Sequence, residues 1–136
     1  MKKLATLITI TAGLTVLPIA NALAAWTELG SNDAMSVSID SDTLRRDGDK
    51  AQILSMLDLK KPGENPKTKQ VVNSLIGLNE YNCSNATYRP IEFKEFAGNK
   101  GSGKVVTDNK TPDSPFEPVV SDSWTAGVFN VACKVK

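Results

Sequence analysis

Histidine is missing from all 136 residues, and cysteine occurs only twice, at Cys83 and Cys133. Without an imidazole, a serine or cysteine nucleophile lacks its usual base. Zinc and dithiol redox motifs need closely spaced ligands, and two distant cysteines cannot supply them. Charge of one sign is lacking as well. Setting aside Lys2 and Lys3 of the leader described next, 14 basic residues stand against 15 acidic ones. That near-neutral balance lacks the clustered basic excess of a nucleic-acid-binding surface. No composition-level signal calls for a cofactor.

What is present begins with an export signal. Lys2 and Lys3 precede an apolar run from Leu4 to Ala20, and Ala22-Leu23-Ala24 offers small residues for a leader peptidase. Residues 1–24 are therefore expected to be a cleaved signal peptide and residues 25–136 one domain. Threonines, Gly13 and Pro18 interrupt the run, and no basic stop-transfer segment follows, which argues against a membrane anchor. No cysteine ends the leader, so no lipid anchor is expected. The expected location is the periplasm, or the surface or exterior beyond it. In such a compartment Cys83 and Cys133 read as one structural disulfide.

Along the exported part, short β-branched runs alternate with turn residues, the pattern of an antiparallel sheet. Trp26 to Leu29 and Met35 to Asp40 form the opening pair, and Met35, Val37 and Ile39 alternate with polar residues. Ser41 to Arg46 reads as a turn. Lys50 to Lys60 is a long strand with apolar residues on both parities, so something must pack on each face. Lys60 to Lys69 holds Pro62, Gly63, Pro66 and the lysines Lys60, Lys61, Lys67 and Lys69, and reads as an exposed loop that could contact a partner. Strands are expected over Val71 to Cys83, over Thr87 to Phe96 with an internal bulge, and over Val105 to Thr107. A proline-rich connector from Asn109 to Pro118 precedes a helix from Trp124 to Cys133, capped by Ser123. If Cys133 bonds Cys83, the bridge pins this helix to the sheet, a closure worth roughly 4 kcal/mol in the chain-entropy model.

Three motifs touch on chemistry and each has a plainer reading. Gly98 to Lys104 has the glycine and lysine spacing of a phosphate loop, but Val105 stands where a hydroxyl should follow, and a strand is expected where a helix should begin. Asp40, Asp42, Asp47 and Asp49 cluster within ten residues, and alternating carboxylates can ligate calcium, yet Leu44 interrupts the series and the sixth position lacks glycine. Glu92 and Glu95 could form a carboxylate pair only if a bulge brought them to one face. No metal site is expected. The chain reads as a binding protein and not an enzyme; the alternative is a periplasmic small-molecule binder or hydrolase using a cleft between sheet and helix.

Taken in order, Trp26, the strand ending at Ile39-Asp40, Tyr81-Asn82-Cys83 with Tyr88-Arg89, Gly103-Lys104-Val105-Val106, and the Ser123 to Cys133 terminus resemble the surface-adhesin protein E family of Gram-negative envelope proteins. Asn82 departs from the aspartate often seen before the first cysteine. The resemblance implies an α+β fold: a mostly antiparallel sheet of about six strands with a C-terminal helix on one face, tethered by the Cys83–Cys133 bridge. It also implies partners among host matrix or envelope proteins and the possibility of a homodimer.

Overall fold

The computed structural model describes residues 25–134; the expected leader and the last two residues lie outside them. Six strands follow one another as a meander: β1 (Thr27–Ser31), β2 (Met35–Asp47), β3 (Lys50–Glu64), β4 (Val71–Asn82), β5 (Thr87–Phe96) and β6 (Val105–Lys110). Every pairing is antiparallel and joins consecutive strands. A two-residue strand, β7 (Glu117–Pro118), joins β5 beside β6, and one helix, α1 (Trp124–Ala132), closes the described chain. The α+β expectation holds, with one mostly antiparallel sheet, a terminal helix and the disulfide.

Three elements differ from their sequence reading. The turn expected over Ser41 to Arg46 is strand, because β2 runs on to Asp47 through an irregularity between Asp40 and Arg45. There the Thr43 hydroxyl donates to the Asp40 carbonyl at 2.6 Å and accepts from the Leu54 amide at 2.9 Å. A side chain thus completes a rung that the backbone leaves open. Likewise β3 continues to Glu64 instead of stopping at Lys60. Its pairing with β4 shifts between Asp58 and Gly63, and Pro62 sits in that gap, where its missing N–H costs no ladder bond. Finally, the connector expected after Asn109 starts later, at the end of β6, and itself contributes β7.

Other expectations are met in detail. The bulge within β5 falls at Ile91, which is skipped between the pairs Leu78–Glu92 and Asn79–Pro90. Helix α1 begins where Ser123 caps it, the serine oxygen accepting from the Ala126 amide at 3.3 Å. Its buried residues are Thr125, Val128, Phe129 and Ala132; Trp124 and Val131, which the sequence groups with Val128 and Ala132 in one apolar stripe, are only half-buried. The Arg46 guanidinium donates to the Ala132 carbonyl at the other end.

The register fixes which side chains share a face. Ala51, Tyr81 and Tyr88 form one row across β3, β4 and β5; Ile53, Asn79 and Pro90 form the next. The helix lies on this face. Ile39, Ala51, Ile53, Tyr81, Val128, Phe129 and Ala132 make one continuous core beneath it. Cys83 at the end of β4 bonds Cys133 with a Cα–Cα distance of 5.6 Å, holding the helix by its last turn.

On the opposite face the glycine-rich turn after β5 folds back over β3 and β4. Asp58 accepts from the Asn99 amide side chain and the Lys100 N–H, while Ser74 accepts from the Gly101 N–H. Gly101 is required here: its φ is +73°, and a Cβ would sit 2.7 Å from Ile76 Cδ1. At the other end of that face Phe116 packs under the Arg89 guanidinium, which is 4.7 Å from the ring centre and bridges to Glu80 at 2.8 Å. Both faces of the long strands are therefore covered in part, as their two-sided apolar pattern requires.

Candidate functional site

A helix of nine residues is roughly 13 Å long at about 1.5 Å per residue, whereas six strands at about 4.8 Å spacing span roughly 24 Å. Helix α1 cannot cover its whole face. The uncovered part is set by two rows of the register. Val37, Leu57, Leu75, Glu95 and Thr107 lie in line across β2 to β6, with Gly77, Phe93 and Asn109 beside them in a row whose other end, Ile39, is buried in the core. These rows floor a trough that crosses the sheet between the start of α1 and the β3–β4 turn.

The trough has three connected parts. Its centre is a pit of about 240 Å³ lined by Leu57, Leu75, Tyr88, Pro90, Phe93 and Trp124, with Gly77, Ser55 and Asn79 at its base. Trp124, first residue of the helix, also walls the second part, a groove of about 420 Å³ running over Leu29, Met35 and Val37 toward the β1–β2 turn. Phe93 joins the pit to the third part, about 310 Å³ between the β3–β4 turn and the Thr107 side of β6. The bank formed by that turn is built firmly. Asn65 is buried, its carbonyl oxygen accepts from the Lys67 and Thr68 amides at 2.9 and 3.0 Å, and its amide donates to Glu95 at 2.7 Å. Thr107 also donates to Glu95.

Electrostatically the centre is neutral. The pit lining contains no carboxylate, ammonium or thiol, and its one titratable member is Tyr88, whose hydroxyl is held above the ordinary phenol value by burial and by nearby Glu117. Its polar corner is small: Ser55 and Asn79 are 3% and 5% exposed and sit 3.5 Å apart, Nδ2 to Oγ. Behind them the Tyr81 hydroxyl is buried without a hydrogen-bond partner among the described residues. Asn79 is near enough to influence it yet makes no bond of acceptable geometry. Burial, reinforced by Tyr88, drives the Tyr81 pKa far above the phenol range.

The residues singled out from sequence fall as follows. Cys83 and Cys133 are joined. Lys60 and Lys61 stand at the irregular end of β3, and Lys67 and Lys69 in the turn after it; all four are exposed, and none forms an ion pair among the described residues. The amides of Gly98, Lys100 and Gly101 are spent on Ser102, Asp58 and Ser74, so that turn offers no cradle to a phosphate. Asp40 uses its carboxylate on the Asp42 amide. Glu92 and Glu95 point to opposite faces, because the bulge at Ile91 precedes both; Glu92 pairs with Lys110 at 3.1 Å. The core fills the space under the buried side of the helix, and a groove stays open where Trp124 and Gly127 face Leu29, Met35 and Val37 of the sheet. Sequence reasoning missed the trough. Leu57 and Leu75 carried its signal, since they add apolar surface beyond what one short helix can cover.

Comparison with known proteins bears on the whole domain. Residues 26–134 match the family model described as surface-adhesin protein E. No curated protein matches. Among solved structures, one of Haemophilus influenzae protein E is 17% identical and superposes with a TM-score of 0.59, covering 97% of this chain and 92% of that one. A second crystal form is 14% identical with a TM-score of 0.58, covering 83% and 97%. Protein E from non-typeable Haemophilus influenzae is 17% identical with a TM-score of 0.57, covering 98% and 83%. At such identities the likeness is one of fold.

Proposed function

This chain belongs to the surface-adhesin protein E family, and from that premise we propose that it is a non-enzymatic, adhesin-like module of the Gram-negative envelope that docks a protein partner in the trough. The observation that carries this reading is the band of partly buried Val37, Leu57, Leu75 and Phe93, open to solvent beside a helix that covers only the adjoining rows. An apolar floor with a polar rim is the anatomy of a protein-binding surface. The four lysines at and beyond the end of β3 add a cationic flank. Their part is to speed encounter with an acidic partner surface more than to hold it.

Host matrix proteins, other envelope proteins and a second copy of the chain are the partner classes this reading admits. Immobilised protein challenged with matrix proteins and with solubilised envelope at physiological salt tests it. Binding that Leu57→Asp abolishes, and that the Lys60, Lys61, Lys67, Lys69→Ala variant slows in a salt-dependent way, supports the trough with its lysine flank. Failure to retain any partner, or retention indifferent to Leu57→Asp, overturns it. Protease treatment of intact cells decides between the periplasmic and the surface location, since an adhesin must be reachable from outside.

A further inference from the structure

The pit at the centre of the trough is built for one kind of guest. Its walls are flat and aromatic: Tyr88, Phe93 and Trp124 surround a floor where Gly77 contributes no side chain. Tyr88 and Trp124 already meet edge to face, with ring centres 6.5 Å apart. A ring entering between Trp124 and Phe93 would find offset and edge-on partners, the arrangements aromatic pairs prefer. The volume of about 240 Å³ holds a single ring with its attached carbon and one polar substituent. No charged group lines the pit, so a carboxylate or ammonium guest would be desolvated without compensation.

The corner of the pit narrows the guest further. Asn79 presents an amide able to donate and accept, and Ser55 a hydroxyl. A purely apolar ring leaves this corner as it was. A ring bearing a hydroxyl can accept from Asn79 and donate to Ser55 in turn. We propose that the pit receives a phenolic ring, namely a tyrosine side chain of the docked protein partner. The proposal rests on the trough being the docking surface and assigns the anchor within it. Tyrosine brings a large rigid contact and one hydroxyl at small entropic cost, which is why it recurs at the centres of interfaces.

Titrating the isotopically labelled protein with N-acetyl-tyrosine amide and N-acetyl-phenylalanine amide, followed by amide NMR shifts and indole fluorescence, tests the assignment. The expected result is shifts centred on Ser55, Gly77, Asn79, Phe93 and Trp124, with the tyrosine derivative binding about tenfold tighter, the discrimination roughly one satisfied buried hydrogen bond provides. Asn79→Leu and Ser55→Ala should each shrink that preference toward unity, and Phe93→Ala should weaken both ligands. Melting temperatures confirm that the variants fold. Absence of shifts at the pit, or equal affinity for the two amides in the parent protein, overturns the proposal. Replacing tyrosines one by one in a captured partner separates the two levels. If the partner binds and no tyrosine matters, the anchor falls and the docking surface stands. If the amide binds and no protein partner is ever retained, the docked-protein source falls and the pit is left as a site for free phenols.

Discussion

The helix-bearing face of the sheet has two halves built from the same kinds of residue and put to different ends. Under α1, the rows through Ala51 and Ile53 are sealed: Ala51, Ile53, Tyr81, Val128 and Ala132 expose essentially nothing. One row beyond Ile53, Phe93 remains partly open, and so do Leu57 and Leu75 in the row after it. Apolar strand faces alone therefore do not make a core; a cover of sufficient length does. Here the cover is nine residues held at its far end by a disulfide, so the boundary between core and trough falls at its first residue, Trp124.

The contrast can be broken most forcefully through the tether. Cys83→Ser with Cys133→Ser should cost about 4 kcal/mol, lowering the melting temperature by roughly 15 °C or more. It should also unseat Trp124, so that trough and core blur together; calorimetry and indole fluorescence would show both. An unchanged melting temperature would mean that packing alone holds the helix. Next in size, Ile53→Ala should cost about 3 kcal/mol, because its site is fully enclosed and leaves a cavity. Leu57→Ala is the matched substitution in the open half. Denaturant titration should place it near 1 kcal/mol, since solvent already meets that side chain. Equal costs at the two positions would erase the distinction between the halves.

Alkaline pH sharpens the comparison from inside the sealed half. Tyr81 keeps its proton in the folded state well past pH 10, where the unfolded chain releases it. The unfolded state then binds fewer protons than the native one, so stability is complete below about pH 10 and falls as pH rises, by about 1.4 kcal/mol per unit for this one group. Tyr81→Phe should remove that slope. At neutral pH the same variant should be about 0.5 kcal/mol more stable than the parent, because it deletes a buried hydroxyl that has no partner. Loss of stability would instead show that the hydroxyl is satisfied in solution.

Legibility in the sequence followed the strength of local signals. Met35, Val37 and Ile39 alternate cleanly, Ser123 caps, and two cysteines in an exported chain have one pairing available; these gave the sheet, the helix and the tether. The continuation of β2 through Leu44 was hidden because Thr43 supplies from its side chain a bond that is invisible in a hydrophobic pattern. Lys60 to Glu64 read as loop because Pro62 forbids a regular ladder, yet a broken register accommodates it. The trough was the hardest to see. Leu57 and Leu75 are indistinguishable in sequence from core residues such as Ile53, and only the length of the helix, measured against the width of the sheet, decides which of them stay uncovered.

The meander also sets an order of events. Each strand pairs with the one just before it in the chain, so β1 to β6 can zip together through local hairpins, the kind of contact that forms quickly. Helix α1 must return across the sheet, and its bond partner lies 50 residues back. The wall at Trp124 is consequently the last part to arrive. A chain whose cysteines are still reduced can possess its sheet and lack its trough, which makes oxidation the step that finishes the trough's Trp124 wall as well as the fold.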